Sequence, residues 1–208
     1  MKIIVYVLSL LGCVEAISAN DTPRFDGRIQ RAEFVSSLIK QGDIGAEIGV
    51  AAGGFAYNVL LKMQPSKLYL IDPWQYGMQA DVETLPLTPE IQKNRDQMYL
   101  QVCNVFAPYP NVEVIRAKSQ DVANQFPDQY FDYVYIDGEH SYEAVKRDLN
   151  NYYPKVKVGG HIIGDDYGWA GIADAVQEFL KAHKDEIYWY GNPYHGKTGG
   201  QFAIRRLK

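Results

Sequence analysis

Two acidic stretches carry most of the chemistry that can be read from this chain. Residues 133–142 read YVYIDGEHSY, where an apolar and aromatic run stops at Asp137. Residues 161–167 read HIIGDDY, where a second apolar run stops at Asp165 and Asp166. A carboxylate at the end of a buried segment is costly unless positive charge meets it. Three such acids brought together would offer oxygen-only ligands, which suit a hard divalent cation such as Mg²⁺. In the competing reading, Asp165 and Asp166 cap the next helix and face solvent. His140 and Asp137 are the candidates for a general base. His140 could instead orient its loop or cap the helix that begins at Ser141.

Upstream, AEIGVAAGGF places Gly49, Gly53 and Gly54 in a strand-to-helix turn, where a ligand can approach the backbone. A dinucleotide site would have GxGxxG there, with bare amides for a pyrophosphate. Glu47 stands where the first of those glycines would be. An acid repels a pyrophosphate and attracts an ammonium group, so E-x-G-x-x-x-G suits a cofactor carrying an amino acid. A plain turn with a strand-end acid is the alternative. Asp72 ends the next apolar run, where it can accept from two ribose hydroxyls or serve as a turn acid before Pro73. Trp74 either packs on a cofactor or anchors the loop behind it.

The elements that position these residues alternate along the chain. Helical periodicity covers 28–40, with Ala32, Phe34, Val35, Leu38 and Ile39 on one face. Strands are expected at 45–50, 67–72, 112–117, 131–137 and 161–165, with helices near 55–63, 90–106, 141–153 and 171–183 between and after them. PKVKVGG reads as a turn before the last of these strands. Residues 73–89 form a long irregular stretch of the kind that makes a lid or binding loop. EIYWYG and QFAIRRL then read as two strands with no helix between them. Strands alternating with helices imply a parallel sheet covered on both faces, and ligands bind such sheets at the carboxyl ends of the strands. Glu47, Asp72, Asp137, Asp165 and Asp166 all lie at those ends.

Bulk composition narrows the classes. The chain has 208 residues, 47% hydrophobic and 22% charged, which fits one ordinary soluble domain over 20–208. A net charge of -4 speaks against nucleic acid as a partner. The cysteines, Cys13 and Cys103, form no metal or redox spacing. Residues 1–19 begin Met-Lys, continue IIVYVLSLLG, and offer small residues for cleavage after Ala16 or Ala19. That reads as a signal peptide and the secretory pathway. A buried N-terminal extension on a cytoplasmic protein is the alternative, and no stable membrane span is expected.

Taken together, AEIGVAAGGF, LYLIDPW, AKSQDV, FDYVYIDGEHSYEAVKRDL, PKVKVGGHIIGDDY and GIADAVQEF resemble, in order and spacing, the class I S-adenosylmethionine-dependent methyltransferases. More narrowly they resemble the methyltransferase family 24 group, which includes metal-dependent O-methyltransferases acting on sugars of natural products. The resemblance covers residues 28 to 207. It implies a three-layer Rossmann-like α/β fold, a mostly parallel seven-stranded sheet with a C-terminal antiparallel hairpin. It also implies S-adenosylmethionine as cofactor. Glu47, Gly49 and Gly53 would cradle its methionine part and Asp72 its ribose. Ser119 and Gln120 would lie along the adenine, with Asp137 beside the sulfonium. Asp137, Asp165 and Asp166 would hold Mg²⁺ or another divalent cation. Many relatives carry His-Asp in place of Asp165-Asp166.

The expected reaction is O-methylation of a hydroxylated small molecule, with Asp137 or His140 taking the proton. Tyr76, Met78, Tyr167 and Trp169 are candidates for an aromatic acceptor wall. His195 reads as loop decoration and His161 as structural. The competing readings are a metal-independent methyltransferase of another acceptor and a non-catalytic cofactor-binding module. Glu47 and the terminal strand pair argue against an NAD-dependent oxidoreductase.

Overall fold

A computed structural model describes residues 26–75, 88–192 and 200–208. The proposed signal segment, Tyr76, Met78 and His195 lie outside the described residues. The helices are α1 (Asp26–Ser36), α2 (Gly54–Met63), α3 (Pro89–Phe106), α4 (Ser119–Val122), α5 (Tyr142–Tyr152) and α6 (Ala170–Ala182). The strands are β1 (Ile44–Ile48), β2 (Lys67–Asp72), β3 (Val112–Arg116), β4 (Phe131–Ile136), β5 (Val156–Gly164), β6 (Ile187–Asn192) and β7 (Gln201–Arg206).

Local chemistry sets the helix boundaries. α3 starts with Pro89 behind Thr88, whose side chain accepts from the Ile91 N–H. α5 starts behind Ser141, whose hydroxyl accepts from the Ala144 N–H at 3.3 Å. α2 stops at Gln64, in the left-handed region, one residue before Pro65. α6 buries Ile172, Ala175, Val176 and Phe179 at helical spacing.

The strands form one seven-stranded sheet in the order β3-β2-β1-β4-β5-β7-β6. The pairs from β3 through β5 are parallel, while β7 pairs antiparallel with both β5 and β6. The sheet separates two cores. One joins Val134 and Ile136 of β4 to Val145 and Leu149 of α5 and to Val176 of α6. The other joins Tyr133 and Tyr135 of β4 to Val35 of α1, Val59 of α2 and Val102 of α3. Three layers follow, with the order of strands reversing between β1 and β4. A doubly wound sheet opens its ligand crevice at that point.

β5 begins five residues earlier than the apolar run suggests, at Val156 rather than His161. KVGG is therefore strand with an irregularity, not a preceding turn. Between the paired positions β4 advances two residues, from Phe131 to Tyr133, while β5 advances five, from Val156 to His161. Gly159, at φ +87°, supplies the backbone that this bulge requires.

β1 and β4 meet closely where the site begins. Gly49 has φ +86°, and a Cβ placed on it would lie 2.0 Å from the Asp137 carbonyl oxygen. Any side chain there would drive the end of β4 away from β1. Gly49→Ala is therefore expected to lose at least ~2 kcal/mol of stability, measured by urea denaturation. Wild-type stability in that variant would contradict the close approach.

Candidate active site

Backbone hydrogen bonds carry the parallel ladder past the ends of the strands. Gly49 N–H donates to Ile71 (2.9 Å), Asp137 N–H to Ile48 (2.8 Å) and Asp165 N–H to Ile136 (3.1 Å). The strand-end acids thus line one edge of the sheet. The sequence placed Glu47, Asp72, Asp137, Asp165 and Asp166 there, and the geometry brings them to that edge.

The acids divide in a way that strand spacing does not show. Ligand atoms of Asp137, His140 and Asp166 lie within 4.8 Å of one another. His140 Nε2 is 3.8 Å from Asp137 Oδ1 and 3.5 Å from Asp166 Oδ2. The trio expected from sequence, Asp137, Asp165 and Asp166, is thus not the trio assembled among the described residues. Asp165 is 4% exposed, and its Oδ2 is ion-paired with Arg31 Nη1. The same nitrogen reaches Asp137 Oδ2 at 3.3 Å. A strand-end carboxylate this deep takes the cation nearest to it, and α1 brings that cation across the sheet edge.

Burial pushes the Asp165 carboxyl above its ordinary range, Asp137 and Asp166 push the same way, and Arg31 opposes them. Burial lowers the Arg31 pKa, but Asp165 and Asp137 outweigh it, so the guanidinium is held charged. A small cavity behind the acids has Asp137, His140 and Asp165 on its polar side and Val145, Ile172 and Phe202 on its apolar side. The apolar side keeps the local dielectric low, which strengthens each charge interaction. Asp166 adopts φ +55°, an uncommon backbone for a non-glycine residue. The His140 ring sits 5.6 Å from that of Trp169. α5 is capped by the side chain of Ser141, so His140 remains part of the acid cluster.

The glycine turn is braced from β2. Asp72 Oδ2 accepts from the N–H groups of Val50 (2.9 Å) and Ala51 (3.0 Å), and Oδ1 accepts from Trp74 N–H (2.6 Å). The turn-acid reading of Asp72 is the one visible in the geometry. Ala51, at φ +49°, needs that support. Trp74 is 1% exposed and donates its ring N–H to the Ala51 carbonyl at 2.8 Å. It buttresses the turn from inside and offers no open face for stacking.

Ser119 and Gln120 also divide. Ser119 Oγ donates to Asp148 Oδ1 at 2.6 Å, and its carbonyl accepts from Tyr152 OH at 2.9 Å. Two residues one turn apart on α5 therefore hold the loop after β3. Gln120 Oε1 is buried without a hydrogen-bond partner among the described residues, which suits a ligand amino group. Arg31 and Asp148 were not singled out from sequence. Asp148 was findable, because it shares the helical face of Val145, Leu149 and Tyr152.

The residues present fit the expected ligands. Glu47, 3% exposed at the end of β1, suits an ammonium group. Two carboxylates and an imidazole suit a divalent cation, with the nitrogen favouring Mn²⁺, Fe²⁺ or Zn²⁺ over Mg²⁺.

This architecture is that of the class I S-adenosylmethionine-dependent methyltransferases. Residues 46–167, more than half of the chain, match the family described as a methyltransferase domain, methyltransferase family 24, and the chain belongs to that family. The fold is shared with SMU.1697c of Streptococcus mutans, solved in complex with SAH (TM-score 0.61, 12% identity, 86% of this chain and 96% of that one). It is shared with the O-methyltransferase NovP (TM-score 0.58, 21% identity, 89% and 80%). It is also shared with an rRNA methylase of Streptococcus thermophilus (TM-score 0.59, 11% identity, 86% and 95%). A stretch of 36 residues is 50% identical to uncharacterized protein R132 of Acanthamoeba polyphaga mimivirus. It spans 17% of this chain and only 16% of that protein. Among the described residues, no helix is long and apolar enough to cross a membrane.

Burial raises the Asp148 carboxyl to about 6, with Glu139 adding to the rise and Ser119 and Arg147 opposing it. A raised folded-state pKa means that the folded protein binds the proton more tightly than the unfolded chain. Its stabilising contribution is therefore complete below the ordinary value of 3.8 and is lost as pH rises through about 6. Asp148→Asn keeps an acceptor for Ser119 and removes the charge. The stability of wild type relative to this variant is expected to fall by on the order of 3 kcal/mol across that window, read from denaturation at stepped pH. A constant difference would show that Asp148 does not titrate there.

Proposed function

We propose that this protein transfers the methyl group of S-adenosylmethionine to a hydroxyl of a small molecule such as a sugar. In this reading a divalent cation is held by Asp137, His140 and Asp166. The observation that supports it is the convergence of these three donors within 4.8 Å at the ends of β4 and β5. S-adenosylmethionine supplies a methyl on a sulfonium, and the cation, when bound, lowers the pKa of the acceptor hydroxyl. Glu47 receives the ammonium group of the methionine part. Gly49 and Gly53 give the turn its left-handed backbone at φ +86° and +76°, while Asp72 and Trp74 keep that turn rigid. Gln120 accepts from the adenine amino group. Asp137, whose N–H donates to the Ile48 carbonyl just before the glycine turn, ties the acid cluster to that turn beside the reacting centre. Trp169 and Tyr167 supply aromatic surface for the acceptor.

The name of NovP, an O-methyltransferase, agrees with this acceptor class. The rRNA methylase among the structural neighbours suggests RNA instead, but a chain of net charge -4 has little to neutralise a phosphate backbone. A second reading is favoured by the Arg31 ion pairs, which already place positive charge on Asp137 and Asp165. Here no metal is needed. His140 takes the acceptor proton, and Asp166 steadies the imidazolium that forms.

Methyl transfer to a panel of hydroxylated sugars and phenols, with Mn²⁺ or Mg²⁺ and with a chelator, separates the two. Loss of turnover on chelation supports the first reading, and full turnover in chelator supports the second. Asp137→Ala is expected to be inactive in either case. Glu47→Gln is expected to weaken SAH binding by roughly 10- to 100-fold in calorimetry. Unchanged affinity would remove Glu47 from the ammonium site.

A further inference from the structure

In the metal-assisted reading Arg31 has as yet no role. It projects from α1, and a single nitrogen, Nη1, contacts Oδ2 of both Asp137 and Asp165. Asp137 is shared between two neighbours. Its Oδ2 faces the guanidinium, while its Oδ1 faces His140 Nε2 at 3.8 Å. Asp165, the most buried of the three acids, stays with Arg31 and lies outside the cluster formed by Asp137, His140 and Asp166. A guanidinium cannot shed its charge by losing a proton. Its Coulomb effect on a neighbouring site is strongest where the surroundings are poorly solvated.

We propose that Arg31 is a tethered cation that decides which acids are open to a divalent ion. It keeps Asp165 out of the ligand set, and it competes with the ion for Asp137. The inference rests on reading Asp137, His140 and Asp166 as ion ligands. It adds that the strength of ion binding is set from α1, by a residue that is not itself a ligand. With Arg31 neutralised, Asp165 would lose its counter-ion and become a fourth donor beside the cluster. The ion would then meet one more carboxylate and one fewer positive charge.

The test is Mn²⁺ binding to the full chain, followed by the resonance of free Mn²⁺ and by calorimetry, with no cofactor or acceptor present. Arg31→Met is expected to bind Mn²⁺ ~10-fold or more tightly than wild type. Arg31→Gln should move the same way and is prepared in parallel, so that failure of one variant to fold leaves the other. Arg31→Lys keeps the charge and should stay near wild type. Arg31→Met combined with Asp165→Asn should lose most of the gain. Asp165→Asn alone should change Mn²⁺ affinity little, whereas Asp166→Asn should weaken it strongly.

Wild-type affinity in both neutral Arg31 variants would overturn the proposal while leaving the three-donor site standing. So would an Asp165→Asn effect as large as that of Asp166→Asn. No Mn²⁺ binding by wild type or any variant would overturn both the ion site and the role of Arg31. Binding seen only after Arg31 is neutralised would support the role of Arg31 and overturn the metal-assisted reading of the wild-type protein.

Discussion

Negative charge gathered at the edge of a buried parallel sheet must be balanced, and much of this molecule is arranged around that need. Asp72, Asp137 and Asp165 end three of the parallel strands, where solvent can reach them only in part. Each is answered differently. Asp72 is met by three backbone N–H groups. Asp165 is met by a guanidinium. Asp137 divides its oxygens between that guanidinium and an imidazole. Isolated carboxylates in such positions would be costly, so the partners are as much a part of the site as the acids.

The balance also explains why the N-terminal helix is held against the sheet edge. Ala32, Val35 and Ile39 bury one face of the α1 region against the core that contains α2 and α3. Arg31, next to Ala32, is carried over the strand ends by that packing. Apolar burial places the helix, and the ion pairs set its charged residue over the acids. The glycine turn depends on a similar division of labour. Gly49 permits the approach of β1 to β4, while Asp72 and Trp74 brace the strained backbone at Ala51.

Much of the fold was legible in the chain, because alternating apolar runs and glycine punctuation are local signals. The five parallel strands and the terminal antiparallel pair follow from them. The start of β5 was not, since KVGG carries turn residues that here form a bulge within a strand. The acids at the strand ends were legible for the same reason as the strands. Their partition was not. Whether Asp165 or His140 stands beside Asp137 and Asp166 depends on Arg31, which is remote in sequence and reaches the site only through helix packing. Trp74 shows the same limit. An indole after a strand end reads as a stacking surface, but its ring turns inward to reach the Ala51 carbonyl.

The sheet order also bears on when the site can form. β7 follows every other strand in chain order, yet it lies between β5 and β6. Phe202 fills the space beside Gly164, where a Cβ would fall 2.2 Å from its ring, one residue before Asp165. A nascent chain still lacking residues 201–206 leaves β5 without this neighbour and Asp165 without the Phe202 part of the apolar wall behind it. On the ribosome, then, the cofactor half of the cleft can take shape before the acidic half, whose floor is completed only when β7 slots in.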